Sequence, residues 1–131
     1  MAEIILSNRM QALTDMVTPG TVITDVGCDH GFVSVYLVQK GISPRVIAMD
    51  VRPGPLEHAR EHIREYGLED RIETRLSDGL HSLKTGEAAG MICAGMGGPL
   101  MEKILTEGRE QAKGFRELIL QPQSEIPHFR T

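Results

Sequence analysis

Short apolar runs that close on an acid or a glycine recur along this chain, and helix-length segments separate most of them. "TVITDV" (21–26), "RVIAMD" (45–50), "RIETRL" (71–76), "AGMICAGMGG" (89–98) and "ELILQPQ" (117–123) read as strands. Between them, Leu56, Ala59, Ile63 and Tyr66 mark one face of a helix running from Pro53 to Gly67. Leu100, Met101, Ile104 and Leu105 do the same after Pro99, which opens a helix well. "FVSVYLVQKG" (32–41) is apolar enough for a buried helix closed by Gly41, although its β-branched content makes a strand the rival reading. Strands alternating with helical crossovers imply a doubly wound α/β domain with a mainly parallel sheet. An amphipathic helix over about 7–18 precedes it, capped at Ser7 or Asn8, with Met10, Leu13, Met16 and Val17 at helical spacing. Met10, Met16 and Met101 are read as core filler.

At 131 residues the chain suffices for one domain and not for two. Its net charge of −4 argues against a self-sufficient nucleic-acid clamp, leaving room only for a local basic patch. Arg60, Arg64, Arg71 and Arg75 are interleaved with acids and read as a solvated or salt-bridged surface. No apolar run approaches the roughly 20 residues of a membrane span. The N-terminus lacks a signal-peptide pattern, and Cys28 and Cys93 lie outside any CxxC spacing, so a cytoplasmic protein with free, buried thiols is expected. "LIL" (118–120) reads like a central strand with little chain after it, which leads us to expect further strands beyond Thr131, or cover from another chain.

The turn after the first strand, "DVGCDHG" (25–31), carries the chemistry. Gly27 permits close backbone approach to a ligand, and Gly31 lets a helix start tight against the strand. The next strand ends at Asp50, 23 positions after Gly27, where a carboxylate can accept hydrogen bonds from both hydroxyls of a ribose. A dinucleotide fingerprint would place a glycine at position 29, where this chain has an acid that would repel a pyrophosphate. An adenosine ligand that carries positive charge and no phosphate fits better, with Asp25 and Asp29 beside its cationic groups. S-adenosyl-L-methionine is such a ligand. Asp78 in "SDG" (77–79) would accept from the adenine 6-amino group, and "AGMGG" (94–98) would lie opposite the first turn. His30 either takes part in that turn or caps the helix after it. His58 and His62, spaced i,i+4, have no evident third ligand and are not read as a metal site.

Together "LSNRM", "DVGCDHG", "AMDV", "SDGL", "ICAGMGG" and "LILQPQ" resemble the bacterial tRNA (adenine-N1)-methyltransferases that modify adenine at position 22. The resemblance implies a Rossmann-like class I S-adenosylmethionine-dependent methyltransferase fold, with tRNA as partner and no membrane. It implies Gly27, Cys28, Asp29 and His30 as the first cofactor loop, Asp50 as ribose ligand and Val51 against the adenine. Ser77, Asp78 and Gly79 would stand at the adenine edge, and Gly95, Met96 and Gly97 near the methionine part and the target base. Arg9 would pair with the cofactor carboxylate. Family members are longer, completing a seven-stranded domain and adding a C-terminal helical domain, so residues 1–131 are expected to lack both.

Asp29 is the catalytic candidate, ahead of His30. The N-P-P-Y type motif of many exocyclic-amine methyltransferases is absent, and "QPQ" (121–123) is only a loose positional substitute. Two other readings remain open at this point: a nicotinamide-dependent Rossmann oxidoreductase, and a cofactor-binding fragment without activity.

Overall fold

The structure is a computed structural model that describes residues 4–122. Within these residues five parallel strands form one sheet: β1 (Ile23–Val26), β2 (Val46–Asp50), β3 (Ile72–Leu76), β4 (Gly90–Met96) and β5 (Glu117–Pro122), in the order β3-β2-β1-β4-β5. Among the described residues five helices accompany them: α1 (Asn8–Asp15), α2 (Phe32–Gln39), α3 (Pro53–Glu65), α4 (Gly98–Glu107) and the short α5 (Arg109–Ala112).

Strand periodicity sorts the core into two layers. Ile23, Val46, Ala48 and Ile92 face one side, where they meet Leu13 of α1, Val35 and Leu37 of α2, and Leu56, Ala59 and Ile63 of α3. Val26, Ile47, Met49, Met91 and Cys93 face the other, against Leu80, Leu83 and the α4 residues Met101 and Ile104. Each fully buried leucine here, such as Leu13, Leu37 or Leu80, stabilises the fold by about 1.5–3 kcal/mol relative to its exposed state.

The β-branched run at 32–41 is helical because it is apolar all round and buried between the sheet and its neighbouring helices, so packing overrides strand propensity. Several expectations need correction. α1 is shorter than the span 7–18: Ser7 caps it by accepting from the Met10 amide, and it stops after Asp15. Met10 and Met16 are not core filler, being 38% and 58% exposed, whereas Met101 is buried. At the β3 edge Arg75 follows the salt-bridged reading of this surface. It clamps both carboxylate oxygens of Glu87 at 2.7 Å and reaches Glu73 at 2.8 Å, so the edge strand is fastened to the loop before β4. Gln123 and the residues after it lie outside the described part.

Candidate functional site

From β1 the chain winds outward to β2 and β3, then returns to place β4 on the opposite flank of β1. At such a switch point no crossover covers the carboxyl ends of the two central strands, and a crevice is left there. A cleft of about 570 Å³ occupies it, within the size range of small-molecule sites. Arg9, Gly27, Cys28, Asp29, Asp50, Val51, Ser77, Asp78, Gly79, Gly95, Met96 and Gly97 all line this cleft. His30 does not. Gln121 lines it too, whereas Gln123 of the same "QPQ" stretch lies outside the described residues.

The turn after β1 is built on left-handed backbone. Gly27 has φ 74°, and its amide and that of Cys28 both donate to the Met49 carbonyl, at 2.8 and 2.9 Å, which pins the turn to β2. A β-carbon at position 27 would lie 2.5 Å from the Met96 Cε, a side-chain end that can move aside, so it is the left-handed backbone that favours glycine here. Asp29 also adopts a left-handed conformation, φ 53°, uncommon outside glycine and best tolerated by Asn and Asp. Gly31, with φ 80°, serves a different contact from the one expected. Its missing β-carbon faces Ala59 of α3, 3.0 Å from the Ala59 Cβ, so it seats the start of α2 on α3 rather than on the strand.

Asp25 departs from expectation as well. It is buried, absent from the cleft lining, and accepts a 2.8 Å hydrogen bond from the Ser34 hydroxyl of α2. Burial pushes its pKa up to about 6; the Ser34 bond works against this, and Asp50 and Asp29 add repulsion. Its place is under the turn, tying α2 to β1.

Asp50 ends β2 with its carboxylate buried at the cleft. The Asp29 amide donates to its Oδ2 at 3.0 Å and the Arg52 amide to its Oδ1 at 2.9 Å. The Arg52 guanidinium adds bonds from Nε to Oδ1 at 3.2 Å and from Nη2 to Oδ2 at 3.5 Å. Burial acts to raise the Asp50 pKa, but these bonds outweigh it and hold the group below its ordinary value, so it is ionised at neutral pH. Sequence reasoning passed over Arg52. The signal available was its position, two residues after the strand-ending acid, where its own amide folds back onto that acid.

Ser77 lines the cleft, yet its hydroxyl donates to the Gly79 carbonyl and accepts from the Ser82 amide, so it is spent on shaping the turn that presents Asp78. Val51, 57% exposed, forms an apolar wall beside Asp50. Across the cleft, the β4–β5 pairing shifts register between Ala94 and Met96, an irregularity that falls among the cleft-lining residues of "AGMGG".

A family model described as "Methyltransferase domain" matches residues 6–131. The chain belongs to the methyltransferase domain family. It is 36% identical over 130 residues to the tRNA (adenine(22)-N(1))-methyltransferase of Bacillus subtilis (strain 168), covering 99% of this chain and 55% of that one. The crystal structure of the B. subtilis M1A22 tRNA methyltransferase TrmK superposes with a TM-score of 0.90, covering 98% of this chain and 55% of that one at 36% identity. Streptococcus pneumoniae Sp1610, solved in complex with S-adenosyl-L-methionine, is similar at 33% identity with a TM-score of 0.90, covering 96% of this chain and 59% of that one. The chain thus spans about half the length of the relatives it matches. Its parallel sheet with helices on both faces is the Rossmann-like fold of these methyltransferases.

In this methyltransferase domain His30 sits outside the cleft and does not cap α2, whose N-cap is Gly31 without a side-chain bond. Its ring stacks on His58 with centroids 5.0 Å apart, and its carbonyl is 2.7 Å from His62 Nδ1. A carbonyl only accepts, so His62 carries its proton on Nδ1. Among the described residues no His, Cys, Asp and Glu group is arranged to hold a metal ion. Cys28 and Cys93 are free and buried; burial pushes the Cys28 thiol up and the Cys93 thiol up to about 12, so both stay protonated. No helix among the described residues is long and apolar enough to cross a membrane.

Proposed function

We propose that the chain is most of the catalytic domain of an S-adenosylmethionine-dependent methyltransferase that acts on N1 of an adenine in tRNA, at position 22. The observation that carries this reading is the buried, ionised Asp50 carboxylate at the switch-point cleft, beside a glycine turn that has Asp29 where a pyrophosphate binder would need glycine. The resemblance to tRNA (adenine(22)-N(1))-methyltransferase over 99% of the chain supports the substrate. A tRNA substrate also fits work in the cytoplasm.

The residues fit the cofactor. Asp50 would take the ribose hydroxyls, Val51 would pack on the adenine and Asp78 would accept from its amino group. The bare backbone at Gly27 admits the nucleoside close to β1, and Arg9, an exposed cation of the lining, would meet the methionine carboxylate. S-adenosylmethionine supplies a methyl group on a positively charged sulfur.

Ring N1 of adenine carries a lone pair and needs no proton removed first, so the chain need not provide a strong base. What it provides is alignment, exclusion of water and a carboxylate near the charge that develops on the base. Asp29 fills that last role. Its side chain is 56% exposed at the cleft and tied only loosely, 3.6 Å from Arg52 Nη2 and 3.8 Å from His30 Nε2. The target adenine would be unstacked onto the "AGMGG" backbone, with Met96 as a soft apolar surface.

The test is incubation of the purified chain with tRNA and methyl-labelled S-adenosylmethionine, followed by nucleoside analysis. Labelled 1-methyladenosine is the expected product. Cofactor binding without transfer would leave a binding fragment, the second reading that its half-length coverage favours.

A further inference from the structure

An ionised carboxylate offers about four acceptor positions, two on each oxygen. At Asp50 all of them are engaged. Each oxygen receives one backbone amide, from Arg52 on Oδ1 and from Asp29 on Oδ2, and one guanidinium nitrogen, Nε on Oδ1 and Nη2 on Oδ2. The amides belong to the turn and stay. The guanidinium fork spans both oxygens, as the two hydroxyls of a ribose would, so fork and diol compete for one pair of positions. Arg52 can leave because its side chain is 60% exposed, whereas the Asp50 side chain is 1% exposed and fixed.

A displaced Arg52 has a role at the cleft mouth. Among the described residues lining the cleft, the acids are Asp29, Asp50 and Asp78 and the cations are Arg9 and Arg52. An RNA backbone approaching this acidic opening is repelled unless a cation is free to receive its phosphates. Without ligand, Arg52 is occupied by Asp50 and Asp29. Accepting the cofactor assignment made above, we propose that Arg52 is a built-in competitor of the cofactor ribose, and that its guanidinium, released when the ribose binds Asp50, is then offered to a phosphate of the RNA substrate. Cofactor and RNA therefore bind cooperatively through one side chain, and each tightens the other by the same factor.

Calorimetry and anisotropy on the full chain test this, with S-adenosylhomocysteine as cofactor probe and a labelled tRNA transcript as RNA probe. Arg52→Ala and Arg52→Gln should each bind S-adenosylhomocysteine about two- to fivefold more tightly than the wild type, the range expected for an ion pair whose cation stands in solvent. The gain should vanish with a 2′,3′-dideoxy analogue, which has no diol to compete. Wild-type affinity for tRNA should rise about two- to fivefold when S-adenosylhomocysteine is present, and that rise should be lost in both variants. Unchanged or weaker cofactor binding by folded variants, or an equal rise in tRNA affinity with and without Arg52, would overturn the proposal while leaving the methyltransferase reading intact. Failure of wild type and variants alike to bind S-adenosylhomocysteine would overturn both.

Discussion

At Asp50 and Asp29 two carboxylates a few ångströms from one turn are assigned different work, and their surroundings are the reason. Asp50 is buried and held by amides, suited to fixing a ribose; Asp29 is exposed and nearly free, suited to meeting charge on the target base. Replacing Asp50 with Ala should weaken S-adenosylhomocysteine binding about tenfold or more, the loss of one or two hydrogen bonds to a charged acceptor. Asp29→Asn keeps a residue that tolerates the left-handed backbone, and should lower kcat by about tenfold or more with little change in that binding. Equal effects of the two substitutions on both quantities would contradict this division. Asp25 gives a pH test. The folded state holds its proton more tightly than the unfolded chain, so its stabilising contribution is full below the ordinary carboxylate pKa and is lost as pH rises through about 6. The ionised group costs about 3 kcal/mol, and Asp25→Asn should therefore raise Tm relative to wild type above pH 7, with the difference closing toward pH 4. A difference in Tm that does not vary with pH would contradict it. Asp50 was legible in the sequence because it ends a strand at nucleotide-binding spacing after Gly27. Arg52 was not, because only the folded turn shows the guanidinium reaching back to both oxygens.

The elements that position the site do so by close approach. α2 starts where Gly31 meets Ala59, at backbone angles that side chains rarely adopt. Gly31→Ala should cost about 1–3 kcal/mol of stability, measured by urea unfolding, because it adds strain at positive φ and pushes α2 from α3. A neutral substitution would show that the two helices have slack. The sequence located nearly every element through its apolar runs, yet it left α2 ambiguous: a run that is apolar on all sides has no periodicity from which to tell helix from strand. It also extended α1 too far, since Met16 and Val17 fit helical spacing although the helix ends at Asp15. The four-residue α5 carries too little periodicity to be read at all.

At the scale of the whole molecule, the order β3-β2-β1-β4-β5 puts residues from five strand ends, and Arg9 of α1, around one cleft. Strand-to-helix alternation made the parallel sheet legible. The convergence of "DVGCDHG", "AMDV", "SDG" and "AGMGG" followed from the carboxyl-end rule for such sheets. His30 fell outside because its ring stacks on His58 of α3, a long-range contact that spacing alone does not reveal. Ligand binding at a site assembled from so many elements should stabilise all of them together: at one hundred times its Kd, S-adenosylhomocysteine adds about 2.7 kcal/mol and should raise the wild-type Tm, with a much smaller rise for Asp50→Ala at the same concentration. The central claim is that this cleft holds a phosphate-free, positively charged adenosine cofactor. Its most direct test is calorimetric titration of the folded chain with S-adenosylhomocysteine and, separately, with NAD. The account predicts saturable one-site binding of the first and none of the second; binding of NAD, or of neither, would contradict it.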